Sequence, residues 1–304
     1  MSRFALRLKG VIKRYGKTRA LDGLTLDVPS GALMGLVGPN GAGKTTTFGV
    51  VSGAVRADAG QVDVLGQGAF DPIRHAGRLT VLPQDCALNP SSSARQILSF
   101  HARLQGLTLQ AATREADRVL DLVHLADRAG ARVGQLSHGM KRRLAVAQAL
   151  LGDPELVLLD EPTGGLDPHL VVAMREILSA QRGLRTVVVS SHILADLEAT
   201  CDHVAFLEDG RCTRSGPVAE VTRRGALVRV QLAEPMALAA FEAVLAGREP
   251  SIEGDVLRYQ LHEGEDPAEV QRALLPQLLD AGAAILEIRL GESLEAAYMS
   301  TRTR

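Results

Sequence analysis

Short, nearly unbroken apolar runs punctuate the first two thirds of the chain: LMGLV at 33–37, ELVLLDE at 155–161 and TVVVSSH at 186–192. Runs this short, rich in branched residues and bounded by glycine, proline or charge, predict strands buried on both faces of a parallel sheet. LTVL, just before Pro83 and Gln84, predicts another. Residues 3–30 predict short strands in FALRLKGVIKRYG and LDGLTLDVPSG. Between about 86 and 150 the period changes. Ala112, Ala116, Val119, Leu120 and Val123 recur at helical spacing and predict one buried helix face.

Beyond residue 222 a two-residue period returns. It runs through Val228, Val230 and Leu232, then Leu257, Tyr259 and Leu261, then Leu286, Ile288 and Leu290. Helices are expected around Met236–Leu245, around Pro267–Leu279 with a possible kink at Pro276, and near Ser293–Met299. The pattern predicts an α/β domain over residues 3–222, with a helical subdomain at about 86–150. A small α+β domain in β-α-β-α-β order then follows over 223–304.

Composition changes this picture little. The chain has 304 residues, 46% hydrophobic and 23% charged, which is ordinary for a globular protein. Net charge is −1, so no global basic field points to nucleic acid. Residues 1–222 hold 25 Lys/Arg against 22 Asp/Glu, and 223–304 hold 9 against 13, a split too weak to name a partner. Cys86, Cys201 and Cys212 are scattered without a C-x-x-C, as expected of incidental thiols in a reducing compartment. The start, MSRFALRLKG, lacks the apolar core of a signal peptide, and no run of 18 apolar residues exists. Work at a membrane would therefore need another subunit to span it.

The chemistry begins after the first buried run. Gly38, Gly41 and Gly43 permit a tight loop whose amides can face a phosphate; Lys44 adds a cation and Thr45 a hydroxyl suited to Mg²⁺. The spacing G-x-x-x-x-G-K-T, with a strand before and a helix after, is that of a nucleotide-binding P-loop. Asp160 and Glu161 end a second buried strand, where Asp160 can hold Mg²⁺ through water and Glu161 can face an attacking water. His192 ends a third, and Gln84 follows a fourth. A second helix start, LSHGMKRRL, places Ser137 and Gly139 where exposed amides suit an anion, yet three basic residues follow in the first turn, against the helix dipole. Taken alone, Ser137 reads better as an ordinary helix cap.

Together these pieces resemble the ATP-binding subunits of ABC transporters, in the exporter-type, ABC-2-like branch. GPNGAGKT (Gly38, Pro39, Asn40, Gly41, Ala42, Gly43, Lys44, Thr45), with Thr46 after it, is similar to the family's Walker A. LVLLDE is similar to Walker B with its catalytic glutamate, and LPQD to the Q-loop at Gln84. GLDP is similar to the D-loop with Asp167, and SSH to the switch histidine, His192. Tyr15 matches the aromatic residue that stacks on adenine. LSHGM resembles the family signature, usually LSGGQ. His138 replaces a glycine and Met140 the glutamine, which puts the glutamine's side-chain contact to ATP in question. The resemblance covers about residues 3–222, with the motifs in family order.

The resemblance implies an ATPase using ATP and Mg²⁺. Two subunits, expected as a homodimer, would close head to tail, each ATP held between one P-loop and Ser137 and Gly139 of the other copy. Glu161, His192 and Gln84 are the implied catalytic group, and Thr45, Gln84 and Asp160 the implied metal site. Lys141, Arg142 and Arg143 are left to face carboxylates or the partner. The implied partner is a separate transmembrane permease, met by a groove at roughly Asp85–Gln105, with the chain peripheral on the cytoplasmic face of the membrane. The alternative is a soluble or regulatory ABC ATPase not coupled to transport; one cassette and no heptad run weigh against its translation and DNA-maintenance forms.

Overall fold

The computed structural model describes residues 3–222, 226–262, 265–291 and 293–302. The chain opens with β1 (Phe4–Tyr15) and β2 (Thr18–Pro29), an antiparallel pair of 12 residues each, where short strands were expected. β3 (Leu33–Val37), α1 (Lys44–Val51) and β4 (Ala59–Val64) follow, and β4 pairs with the other edge of β1. Then come β5 (Leu79–Leu82), α2 (Ala94–Leu104), α3 (Leu109–Leu122) and α4 (His138–Ala149). The alternation resumes with β6 (Leu156–Asp160), α5 (Pro168–Ser179), β7 (Thr186–Ser191), α6 (Leu194–Thr200), β8 (His203–Glu208), β9 (Arg211–Pro217) and α7 (Val218–Thr222).

The large sheet has the order β5-β6-β7-β3-β8-β9, with β5 through β8 parallel. Every residue of β3, β6 and β7 is buried, which is why these strands read as continuous apolar runs rather than alternating ones. Asp209 and Gly210, both at positive φ (46° and 75°), form the two-residue connection from β8 to β9. Leu6, Leu8 and Leu26 of the three-stranded sheet join Met34, Leu36, Leu158 and Val188 of the large one around Phe48 of α1 in a single buried cluster. The helical region forms as the period predicts. Ala112, Ala116, Val119, Leu120 and Val123 are all fully buried, and α2 starts with a reciprocal capping box between Ser93 and Gln96.

Contacts divide the chain into two compact units at the Gly216–Pro217 junction. The pattern had put the change at 222; the six residues between, with α7, pack with the second unit, against α9 (Leu294–Arg302). That unit contains β10 (Ala226–Leu232), β11 (Ser251–Glu253), β12 (Val256–Leu261), α8 (Pro267–Asp280) and β13 (Ile285–Leu290), in an antiparallel sheet of order β11-β12-β10-β13. Helix α8 runs on through Pro276.

Two expectations fail here. Met236–Leu245 is no regular helix: a three-residue 3-10 helix at Leu238–Ala240 leads into successive turns. Phe241 and Leu245 are fully buried, so the segment keeps a helix-like i, i+4 anchor pair while most residues around them stay outside the core. The alternation of Leu286, Ile288 and Leu290 is also broken. Ile285 pairs with Leu232 and Glu287 with Gln231, leaving Leu286 as the extra residue of a bulge, 69% exposed. The half-buried residues against the core are Ile285 and Ile288.

Candidate functional site

The site grows from the carboxyl ends of the parallel strands, where open α/β sheets place ligands. At the end of β3, a Cβ on Gly38 would lie 2.4 Å from the Leu207 carbonyl oxygen of β8, so only glycine lets the loop leave the sheet there. Gly43 caps α1 at φ 103°, and no side chain bonds the helix start. The first-turn amides and the positive end of α1 thus face an open loop, a ready anion site. Lys44, buried, folds back to donate from Nζ to the carbonyls of Gly38 (2.7 Å) and Pro39 (3.2 Å). A cavity of about 490 Å³ opens over this loop, walled by Tyr15, residues 39–46, Gln84, Asp160 and Glu161 among others. Tyr15 is half exposed at its rim, with the Lys13 ammonium 5.4 Å from its ring centre.

The two acids have distinct surroundings. Asp160 accepts from Thr45 Oγ1 at 2.7 Å through Oδ2, and from the Ser190 hydroxyl through Oδ1. A hydroxyl and a carboxylate side by side, both hard oxygen donors, fit a Mg²⁺ that also takes water and phosphate oxygens. Among the described residues no cluster of three or more His, Cys, Asp or Glu forms an all-protein metal cage.

Glu161 points its Oε1 at Lys44 Nζ (3.8 Å) and its Oε2 at His192 Nδ1 (2.8 Å). Its backbone sits at φ 51°, in the left-handed region, which costs a non-glycine residue on the order of 1–3 kcal/mol. The Glu161 N–H donates to Ser190 Oγ at 2.9 Å.

The second helix start is arranged otherwise. Ser137 caps α4, accepting from the Met140 N–H at 3.2 Å. Ser137 and His138 are exposed, but Gly139 is buried: a Cβ there would come within 2.4 Å of Leu170 Cδ1. Asp167 begins α5, exposed and without a side-chain capping bond. The structure therefore gathers Tyr15, the loop, Gln84, Asp160 and Glu161 around one cavity and links His192 to it through Glu161. Ser137, Gly139 and Asp167 lie outside its wall.

Of the basic residues after Ser137, Arg142 and Arg143 donate to backbone carbonyls. Arg143 donates to the carbonyls of Val123 and His124, beyond the end of α3. Arg142 donates to four carbonyls: Pro162 from Nε (3.1 Å), Gln84 from Nη1 (2.9 Å), and Asp160 and Glu161 from Nη2 (2.9 and 2.5 Å). Burial pulls the Arg142 guanidinium below its usual value, and the nearby Asp160 and Glu161 charges oppose that shift. Arg142 and Ser190 are the two contributors the sequence reading missed. The clue to Arg142 was the basic run set against the helix dipole.

The model of the ABC transporter family matches residues 21–164. The Nod factor export ATP-binding protein I of Burkholderia orbicola (strain AU 1054) is 39% identical over 219 residues, 71% of this chain and 72% of that protein. The chain belongs to the ABC transporter family. Another relative, the daunorubicin resistance ATP-binding protein DrrA3 of Streptomyces coeruleorubidus, is 37% identical over 255 residues, 81% of this chain and 79% of its own. Among solved structures, cbiO1 from Clostridium perfringens, part of the ABC transporter complex cbiONQ, superposes with a TM-score of 0.65 at 26% identity. It covers 72% of this chain and 91% of that one. The chain is accordingly an ATP-binding ATPase of the family.

Proposed function

We propose that this chain is the ATP-hydrolysing subunit of an exporter, working with a separate transmembrane permease at the cytoplasmic face of the membrane. No helix among the described residues is long and apolar enough to cross a membrane. Relatives named for Nod factor export and daunorubicin resistance support the direction. In this reading Tyr15 stacks on the base and residues 38–46 cradle the phosphates. Lys44 leaves the carbonyls it now contacts to meet the terminal phosphates. Thr45 and Asp160, with Gln84, hold Mg²⁺, which when bound neutralises phosphate charge.

The observation that carries the reading is the placement of Glu161 between Lys44 and His192 at the loop cavity. A carboxylate fixed there accepts a proton from water aligned for in-line attack on the γ-phosphorus, a contribution of about 10²–10⁴-fold. His192 orients that carboxylate and meets the γ-phosphate. Ser137, Gly139 and Asp167, outside the cavity wall of their own chain, serve the ATP of a second copy docked head to tail.

Mixing two inactive variants tests this sharing. In a Lys44→Ala and Ser137→Arg heterodimer, one site combines both lesions and the other has neither. Regained ATPase activity on mixing is the expected result. If the mixture stays as inactive as its components, each chain uses its own signature turn and the head-to-tail reading is wrong.

A further inference from the structure

Glu161 is held in a conformation it does not favour. Its φ of 51° is left-handed, and the next residue is Pro162, whose ring steers a preceding residue toward extended backbone. Something must restrain this peptide from both sides. On its amino side the restraint is Ser190, accepting the Glu161 N–H. On its carbonyl side it is Arg142, reaching from the fifth residue of α4.

We propose that Arg142 is a positioning residue for ATP hydrolysis, fixing the backbone of Glu161, and so the aim of its carboxylate, through hydrogen bonds to the carbonyls of Asp160, Glu161 and Pro162. The proposal rests on the reading of Glu161 as the group that accepts the proton from water. The fourth bond, to the Gln84 carbonyl, extends the same clamp to the loop after β5. One guanidinium thus joins the signature helix, the Gln84 loop and the end of β6.

Arginine suits the task because its planar fork carries five donors in fixed directions. A lysine ammonium can serve some of these oxygens but cannot span all four. The clamp is also distinct from substrate binding: the bonds of Arg142 go to backbone carbonyls, and Arg142 does not wall the cavity over the loop. Loss of the clamp lets the peptide relax toward extended backbone and swings the carboxylate off line, while the P-loop stays intact.

The test is steady-state ATPase of full-length Arg142→Met and Arg142→Lys, alone and combined with Glu161→Gln, with affinity for a fluorescent ATP analogue measured beside it. Misplacing a reacting group by about 1 Å can cost on the order of 100-fold, so kcat of Arg142→Met should fall about 10- to 100-fold while KM and analogue affinity stay within about threefold. Arg142→Lys should fall between it and wild type. In the Glu161→Gln background the further loss should vanish, because Arg142 acts through Glu161.

Wild-type kcat in Arg142→Met, with Glu161→Gln inactive, overturns the proposal alone. An equal further loss in the Glu161→Gln background does the same, as does a KM rise at unchanged kcat. Wild-type turnover in Glu161→Gln overturns the reading beneath it as well. Should Arg142→Met fail to fold, wild-type kcat in Arg142→Lys is the overturning result.

Discussion

The two units bury different things. Among the described residues, all the buried polar and charged side chains, from Lys44 to Thr200, belong to the first unit, with Asp160, Glu161 and Ser190 in one network. Among the described residues, the buried side chains of the second unit are apolar ones such as Val228, Val230, Phe241 and Leu257, with the tyrosines Tyr259 and Tyr298. A buried polar group destabilises when its partner is lost, whereas an apolar core tolerates exchange at similar volume. In the first unit three such groups, Lys44, Asp160 and Glu161, lie in the wall of the cavity over the glycine-rich loop. In the second unit the charged Arg248–Glu265 pair is half-buried at most and is matched by two hydrogen bonds.

Substitutions can break or sharpen this contrast. Phe241→Ala empties a fully buried site in the second unit and should cost about 3–5 kcal/mol of that unit's stability. Urea unfolding should show the loss, with KM for ATP of the folded protein unchanged. Lys44→Ala should do the reverse: ATP hydrolysis falling on the order of 10²–10³-fold, as when one oriented donor to developing charge is removed, with little change in unfolding midpoint. Ser190→Ala probes the buried network. It strands the Glu161 N–H and one Asp160 oxygen, so a loss of about 1–3 kcal/mol in thermal stability should accompany a lower kcat.

The smallest effect concerns pH. Hydrogen bonds from Arg248, and from the His262 N–H, hold Glu265 well below the usual carboxylate value of 4.5, at about 2. A carboxylate with a lowered folded-state pKa stabilises fully above its unfolded value. That stabilisation fades as pH falls from about 4.5 toward 2. Glu265→Gln should therefore flatten the acid limb of the second unit's stability between those values and leave it unaltered in shape near neutrality.

The candidate site was legible in the sequence because its parts are local. Glycine spacing, Lys44 and Thr45 lie within one loop, and Asp160, Glu161 and His192 each end a strand whose apolar run is itself visible. Arg142 and Ser190 escaped because their partners are distant in sequence. Arg142 meets carbonyls up to 58 residues away, and carbonyls carry no side-chain signature. The Met236–Leu245 misreading has a related cause: Phe241 and Leu245 at i, i+4 anchor turns as readily as a helix. In β13 a single inserted residue, Leu286, shifted the inward face, which no alternation count reveals.

The most direct measurement is single-turnover hydrolysis by Glu161→Gln beside its ATP affinity. With Glu161 aligned by His192 and facing Lys44, the exchange should leave ATP binding near wild type and slow hydrolysis by about 10²–10⁴-fold. Hydrolysis at the wild-type rate would contradict the account at its root.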